Sequence, residues 1–155
     1  MAQTILIVDD DAGWLMLLGM MLQREGYTVK KATSGRAALE ALDLAVPDMM
    51  ITDYTMPGMD GFELCRNVRE MRGLQFPIIV LSGRSDDEFV QRAKQVGANE
   101  VLLVPITAKV LIPRVQALLA SATETSEVSE TRATETSEVS QSSTGADMTE
   151  AKDEN

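Results

Sequence analysis

Five short runs with the composition of β-strands recur along the first 120 residues of the chain, at 4–8, 28–32, 49–51, 76–81 and 101–104. The first reads TILIV and the fourth reads FPIIVL. Uninterrupted apolar runs of this length, rich in β-branched residues, are typical of strands that are covered on both faces. Each run is followed by a loop and then by a longer stretch with helical periodicity. The pattern therefore predicts five repeats of a strand followed by a helix.

The helical stretches are predicted at 13–25, 35–45, 62–71, 86–96 and 107–120. Their apolar residues recur every three or four positions, as on the buried side of an amphipathic helix. Pro113 falls inside the last stretch, so we expect that helix to start late or to kink there. Right-handed connections between parallel strands place helices on both faces of the sheet. We therefore predict an α/β fold with a doubly wound, five-stranded parallel sheet.

The first helix, at 13–25, is apolar around most of its circumference. We predict that its buried side is formed by Trp14, Leu17, Leu18, Met21 and Leu22. Leu15, Met16 and Met20 then lie on the opposite side and are predicted to be exposed. A contiguous exposed apolar surface often marks a partner site, and methionine adapts well to such contacts. We interpret these three residues as a candidate docking surface; the alternative is a helix that is buried on more than one side.

The composition changes sharply after residue 121. Residues 122–155 contain almost no large apolar side chain, and the segment ATETSEVSETR at 122–132 recurs as ATETSEVSQSS at 133–143. Nine acidic and two basic residues give 122–155 a net charge of −7, which leaves −3 of the total of −10 for residues 1–121. Low hydrophobicity combined with high charge of one sign predicts disorder. We therefore predict a folded domain at 1–121 and a disordered acidic tail at 122–155.

The charge balance and the single cysteine exclude several classes of protein. Neither part of the chain has the excess of Lys and Arg that non-specific nucleic-acid binding needs, so we expect no nucleic-acid partner. Cys65 has no second cysteine and no histidine in the chain to pair with, which excludes an internal disulfide and a Cys–His nucleophile. No apolar run reaches 18 residues, and no signal-peptide pattern opens the chain. We therefore expect no membrane contact and a cytoplasmic location.

Polar side chains follow three of the predicted strands at the point where each strand ends. Asp9 and Asp10 follow the first strand, Asp53 follows the third and Ser82 follows the fourth. Because the carboxyl ends of parallel strands meet at one edge of the sheet, we expect these side chains to converge there. Asp11 alone could be explained as a helix cap, which leaves Asp9 and Asp10 without a structural reason. Adjacent carboxylates raise each other's pKa unless a cation intervenes, so the cluster indicates a site for a hard divalent cation.

At these positions the chain resembles the receiver domain of bacterial two-component response regulators, the CheY-like family. The resemblance covers residues 2 to about 121. It is carried by the acidic pair, the aspartate after the third strand, the loop MPGMDG at 56–61, Ser82 followed by Gly83, and GAN at 97–99. It implies a flavodoxin-like sheet with the strand order 2-1-3-4-5.

The resemblance also implies a function for the polar cluster. Asp53 would accept a phosphoryl group from a sensor histidine kinase or a histidine phosphotransfer protein. Asp9, Asp10, Asp53 and the backbone carbonyl of Thr55 would bind Mg²⁺, which offsets the repulsion between a carboxylate and a phosphoryl group. Ser82 would donate a hydrogen bond to the phosphoryl group and turn inward on activation. The expected protein is a stand-alone, non-enzymatic response regulator, a monomer or a weak dimer, that signals through protein contacts.

Two positions depart from the family pattern. The family has lysine immediately before the proline that follows the fifth strand, and here Val104 precedes Pro105. The family commonly has an aromatic residue where Val101 stands, and that ring moves together with the residue at the position of Ser82. Without the lysine we expect a stronger dependence on Mg²⁺ and a raised pKa for at least one acid, and we do not expect Lys109 to substitute. The alternative function is a pseudo-receiver, a binding module that acts without phosphorylation.

Two classes of protein with related folds fit less well. A flavodoxin would have a phosphate-binding loop of amides and hydroxyls after the first strand, where this chain has Asp9 and Asp10. An aspartate-based phosphatase would have a second acid two residues after its nucleophile, where this chain has Thr55. The sequence therefore favours signalling over catalysis.

Overall fold

The computed structural model describes residues 2–131, and the surroundings of the side chains in residues 2–122. The strands in that part of the chain are β1 (Thr4–Val8), β2 (Thr28–Ala32), β3 (Met49–Asp53), β4 (Ile78–Ser82) and β5 (Glu100–Leu103). They alternate with the helices α1 (Ala12–Gln23), α2 (Gly35–Leu44), α3 (Gly61–Arg66), α4 (Asp87–Gln95) and α5 (Ala108–Thr131). A π-helical turn, Asn67–Met71, continues α3. The predicted alternation of strands and helices is confirmed.

The strands form one parallel sheet with the order β2-β1-β3-β4-β5. This order confirms the doubly wound fold and the arrangement 2-1-3-4-5 that the family resemblance implied. The pairing places Val8 beside Thr52 and Asp53 beside Leu81. The residue that follows β1 and the residues that end β3 and β4 are therefore neighbours at the carboxyl edge of the sheet.

Alternation along the strands divides the core into two layers, one on each face of the sheet. Ile5 and Ile7 of β1 belong to the layer that is closed by α1 and α5. Leu6 and Val8 belong to the layer that is closed by α2, α3 and α4. Because neither face of the inner strands meets water, those strands consist of continuous apolar residues.

The buried side of α1 differs from the predicted one. It is formed by Leu15, Leu18, Gly19 and Leu22. Leu15 is only 2% exposed, so the prediction that it lies on an outer docking surface was wrong; Leu17, predicted to be buried, is 47% exposed. Gly19 explains the difference, because α1 lies so close to β2 that a Cβ at Gly19 would be 3.0 Å from Cε of Lys31. The helix therefore turns its glycine side towards the sheet.

The last helix, α5, continues past residue 120, where the sequence pattern places its end. No Gly or Pro lies between Arg114 and Thr131 to stop it. The sequence predicts a late start or a kink at Pro113. The helix begins at Ala108, so the late start was wrong, and the kink stays a prediction. The first compact unit of the chain ends at Leu119. Residues 132–155 of the predicted tail lie outside the described residues, so its disorder stays a prediction.

None of the helices in the described residues, including the long α5, combines the length and the apolar character that crossing a lipid bilayer requires.

Candidate functional site

Three carboxylates meet at the carboxyl edge of the sheet. Asp9 directly follows β1 and Asp53 ends β3, and these two strands are hydrogen-bonded neighbours. One carboxylate oxygen from each of Asp9, Asp10 and Asp53 lies within 4.8 Å of the other two. Asp9 is buried, Asp53 is half-buried and Asp10 is exposed. The structure thus brings together the three acids that the sequence places at this edge, at a spacing that one cation can bridge.

Asp11 has a structural function that separates it from this cluster. Its Oδ1 accepts a hydrogen bond from the backbone N–H of Trp14 at 3.1 Å, which caps the N-terminus of α1. The backbone N–H of Asp11 donates to Oδ1 of Asp9 at 2.9 Å. None of the ion pairs found among the side chains of residues 2–122 includes Asp9, Asp10 or Asp53. The cap explains Asp11, whereas the other three acids have no positive partner in that part of the chain.

Burial and mutual repulsion raise the pKa values of two of these acids. Burial is the main cause of a pKa of about 6 for Asp53, and the charges of Asp9 and Asp10 raise it further. Burial likewise raises the pKa of Asp9, the hydrogen bond from Asp11 offsets part of this rise, and the charges of Asp10 and Asp11 add to it. The raised pKa values agree with the expectation for an acidic cluster that lacks the family's lysine.

The acids line a cavity of about 630 Å³. Its other lining residues are Asp11, Trp14, Thr55, Val104 and Pro105. Val104 therefore presents an apolar side chain where the family has a lysine, and Lys109 does not line the cavity. The sequence pattern predicts Trp14 in the buried stripe of α1 and does not indicate its position at this cavity. Its distance of three residues from the capping Asp11 was the available signal, because that spacing places Trp14 in the first turn of a helix that begins at the site.

The donor atoms of this cavity suit a hard divalent cation. Mg²⁺ prefers oxygen ligands and commonly retains several water molecules. Asp9, Asp10 and Asp53 supply carboxylate oxygens, and the cavity leaves room for water beside them. Thr55 lines the same cavity, so its backbone carbonyl belongs to the residues that could complete the ligand set.

Ser82 lies at the end of β4, one strand away from Asp53. It is 4% exposed, and its Oγ accepts a hydrogen bond from the backbone N–H of Arg84 at 2.8 Å. A hydroxyl group has one proton and two lone pairs, so this bond leaves the proton free to donate. Within the described part of the chain that proton has no acceptor. Ser82 is not among the residues that line the acidic cavity.

The backbone of Asp53 is held by two neighbours. The hydroxyl of Thr52 donates to the carbonyl oxygen of Asp53 at 2.9 Å. The backbone N–H of Gly61 donates to the carbonyl oxygen of Tyr54 at 2.8 Å, and a Cβ at Gly61 would lie 2.6 Å from the carbonyl oxygen of Asp53. From the sequence, Gly61 is predicted only as part of the loop at 56–61. Its contact with Asp53 could not be read from the chain, because it depends on how the loop folds back.

A second cavity, of about 700 Å³, is lined by residues of α2, the loop 57–59 and α3. Although it is slightly larger, it contains no acidic cluster. Its one acid, Glu63, accepts a hydrogen bond from the backbone N–H of Asp60 in a capping box at the start of α3. We therefore assign the candidate site to the acidic cavity, where several titratable groups converge.

The outer side of α1 exposes three large apolar side chains, Met16 at 60%, Leu17 at 47% and Met20 at 53%. We call these three residues the α1 outer surface. The first turn of the same helix contributes Trp14 to the acidic cavity. An exposed apolar surface and the acidic cavity therefore share one helix.

Comparison with known proteins identifies the family to which the chain belongs. The family model described as "Response regulator receiver domain" matches residues 5–116. The transcriptional regulatory protein AfsQ1 of Streptomyces coelicolor is 37% identical over 116 residues, which are 75% of this chain and 51% of AfsQ1. The chain spans about half the length of this relative and of other curated relatives that it matches.

Solved structures agree in fold. The chemotaxis protein CheY4 of Vibrio cholerae superposes with a TM-score of 0.72 at 34% identity, over 76% of this chain and 99% of CheY4. The BeF3-activated DrrB receiver domain superposes with a TM-score of 0.69 at 30% identity, over 77% of this chain and 99% of that chain.

Proposed function

This chain belongs to the response regulator receiver domain family, and from that membership we propose that it carries a two-component signal as a phosphoryl group on Asp53. The observation that supports this proposal best is the convergence of Asp9, Asp10 and Asp53 within 4.8 Å at one cavity. Such close carboxylates repel one another and destabilise the fold unless a bound cation offsets their charge. A cation-binding function explains why the fold retains three carboxylates that repel one another.

Phosphoryl transfer would proceed by attack of a carboxylate oxygen of Asp53 on the phosphorus of a phosphohistidine in a partner protein. The new P–O bond forms as the P–N bond breaks, and the electron pair of the P–N bond stays on the imidazole nitrogen, which takes up a proton. Because the pKa of Asp53 is about 6, most of this carboxyl group is ionised and nucleophilic at neutral pH. Mg²⁺ held by Asp9, Asp10, Asp53 and the carbonyl of Thr55 would supply the positive charge that the cavity lacks.

Other residues of the chain orient the acceptor and the product. Thr52 donates a hydrogen bond to the carbonyl oxygen of Asp53. Gly61 donates one to the carbonyl oxygen of the next residue, Tyr54, so both residues hold the backbone around the acceptor. Ser82, whose proton is free, would donate a hydrogen bond to a phosphoryl oxygen, which is a strong acceptor. In this proposal Ser82 changes its position after transfer, because the added anion attracts its hydroxyl group.

The α1 outer surface is the proposed docking site for the histidine-bearing helix of a sensor kinase or a phosphotransfer protein. Its exposed methionines and leucine match the apolar face of an amphipathic helix, and α1 contributes Trp14 to the acidic cavity. In this proposal, a partner that is bound there presents its histidine to Asp53. The net charge of −3 for residues 1–121 does not favour nucleic acid, so we propose a cytoplasmic monomer or weak dimer that signals through protein contacts.

A pseudo-receiver is the second candidate function. It is favoured by Val104, which lines the cavity where the family has a lysine, and by Val101, which lacks the usual ring. In that case the domain would bind its partner through shape, and Asp53 would have no chemical part.

Phosphotransfer from labelled partners separates the two functions. The full chain is mixed with Mg²⁺ and with a panel of histidine kinases and phosphotransfer proteins that carry radioactive phosphohistidine. We expect label to move to the wild-type chain and not to Asp53→Asn. Partner binding that is equally strong in both proteins, with no transfer to either, would favour the pseudo-receiver.

A further inference from the structure

Arg84 lies in the loop between β4 and α4, two residues beyond Ser82. We propose that the guanidinium group of Arg84 leaves Asp86 and binds the phosphoryl group when Asp53 is phosphorylated. This inference rests on the proposed function of Asp53. Arg84 would supply the positive charge that the family's lysine supplies. Asp86 would then compete with the phosphoryl group for the guanidinium group of Arg84.

In the described part of the chain, the acidic site lacks a positively charged side chain that could bind a phosphoryl group. Its three acids have no positive partner among the side chains of residues 2–122, and Val104 is apolar. A phosphoryl group adds further negative charge and three strong acceptor oxygens. Charge-assisted hydrogen bonds from arginine to such oxygens are among the strongest that a side chain can form.

The backbone of Arg84 is already bonded to Ser82, the residue that is proposed to donate a hydrogen bond to the phosphoryl group. Its N–H donates to Oγ of Ser82 at 2.8 Å, and Ser82 ends the strand next to the one that carries Asp53. A movement of Ser82 towards a phosphoryl group would therefore act directly on the backbone of Arg84. Through this hydrogen bond the two residues would respond to phosphorylation together.

The side chain of Arg84 is held by contacts that can be exchanged. Its Nε and Nη2 donate to the two carboxylate oxygens of Asp86, each at 2.9 Å. Its Cζ lies 5.0 Å from the centre of the Phe89 ring, and that ring lies 4.9 Å from the ring of Tyr54, the residue after Asp53. Both side chains of the ion pair are about half exposed, so water weakens their attraction. A phosphoryl group of higher charge at the edge of the sheet can therefore compete for the guanidinium group.

Asp86 still caps the N-terminus of α4 after it releases Arg84. Its Oδ2 also accepts a hydrogen bond from the backbone N–H of Phe89 at 3.3 Å and caps the N-terminus of α4. Releasing Arg84 leaves this cap in place. The exchange therefore alters the contact between the loop and Phe89 without removing the start of the helix.

Other basic residues are less suited to this position. Arg92 on α4 stacks over the ring of Phe62, with its Cζ 5.3 Å from the ring centre. Arg36 and Arg66 line the other cavity. Lys109 lies on α5, outside the loop that follows Ser82. Arg84 is the residue among these whose backbone bonds directly to Ser82.

Binding of BeF3⁻, the group present in the activated DrrB structure, tests the exchange, because it mimics a phosphoryl group on a carboxylate. The full chain is titrated with BeF3⁻ in the presence of Mg²⁺, and the fluorescence of Trp14 is recorded, since this sole tryptophan lines the cavity. The proteins are wild type, Arg84→Ala, Asp86→Ser and the double variant. Serine retains the capping ability of Asp86 and removes its charge.

We expect Arg84→Ala to weaken BeF3⁻ binding about tenfold, as for the loss of a charge-assisted hydrogen bond. Asp86→Ser should tighten binding about threefold, because it frees the guanidinium group from an exposed ion pair. In the Arg84→Ala background, Asp86→Ser should have no effect. Arg92→Ala, which removes an equal charge from α4, is the matched control and should bind as the wild type does.

Three results would overturn the inference. Equal binding by wild type and Arg84→Ala, or an effect of Asp86→Ser that persists without Arg84, contradicts the exchange and leaves the proposed function of Asp53 intact. Absence of BeF3⁻ binding by the wild type in saturating Mg²⁺ contradicts both. The thermal midpoint of each variant verifies that it is folded.

Discussion

Gly61 lies so close to the carbonyl group of Asp53 that any other residue at this position would collide with it. The Cβ of such a residue would be 2.6 Å from the carbonyl oxygen of Asp53 and 2.9 Å from Cα of Tyr54. Gly61 is also the first residue of α3. The N-terminus of α3 therefore packs directly against the backbone of the proposed acceptor, Asp53.

Replacing Gly61 with alanine should displace the backbone of Asp53. We expect Gly61→Ala to lower the free energy of unfolding by about 1–3 kcal/mol, as for other overpacked sites, and to slow phosphorylation of Asp53. Gly83→Ala is the control, because a Cβ at Gly83 meets no atom within 4 Å. Urea unfolding and the rate of adduct formation measure the two effects. Equal behaviour of the two variants would refute the contact.

The raised pKa of Asp53 predicts a pH-dependent gain in stability for Asp53→Asn in metal-free protein. Below the ordinary pKa of 3.8, Asp53 is protonated and uncharged in both the folded and the unfolded state. It therefore does not lower the stability of the wild type at that pH. As the pH rises from about 3.8 to about 6, the unfolded state loses its proton first, so the wild type loses stability.

At pH 7.5 we therefore expect metal-free Asp53→Asn to be more stable than the wild type by about 1 kcal/mol, a value reduced to allow for solvent screening. The advantage should shrink as the pH falls towards 4, and added Mg²⁺ should remove it at neutral pH by stabilising the wild type. Urea unfolding with a chelator present measures it. A difference that is independent of pH would contradict the assigned pKa.

Val104→Lys would place a cation at the cavity that contains Asp53. We expect this change to lower the pKa of Asp53 by about one pH unit or more and to reduce the Mg²⁺ concentration needed for phosphorylation. Val104→Met adds similar bulk without charge and serves as the control. A carbon-13 NMR titration of the Asp53 carboxyl group, without metal, reports its pKa. The same pKa in both variants would show that this position does not face the acceptor.

Replacing Met16 and Met20 with glutamate tests the α1 outer surface. Both side chains are more than half exposed, so the double variant should fold. We expect transfer from a phosphorylated partner to slow at least tenfold while phosphorylation by a small donor is unchanged, because only docking is impaired. Leu44→Glu alters an equally apolar residue that is 89% exposed on α2 and should have no effect. Unimpaired transfer in the double variant would exclude this surface.

The sheet and its acidic edge could be predicted because buried strands leave a local signature. Continuous apolar runs mark a strand that is covered on both faces, and the polar residue that ends each run marks the edge. Asp9 and Asp53 are 44 residues apart in the chain, but the strand order makes them neighbours. The strand order thus brings residues that are predicted separately, each at the end of its own strand, together in one site.

The rotation of α1 and the contacts of the loops could not be predicted in the same way. With apolar residues around most of its circumference, α1 carries no clear preference for one buried side. Its orientation depends on the close approach of Gly19 to β2, which is a tertiary contact. The hydrogen bond between Ser82 and Arg84 likewise depends on the turn that the loop takes after β4. Both features depend on tertiary contacts, which leave no periodic pattern of apolar residues in the sequence.

The mass of the intact chain after incubation with a small phosphodonor and Mg²⁺ tests the central claim most directly. The account predicts that the wild type gains the mass of one phosphoryl group, that Asp53→Asn gains none, and that a chelator abolishes the gain. An adduct that forms equally on Asp53→Asn would contradict the assignment of Asp53 as the phosphoacceptor.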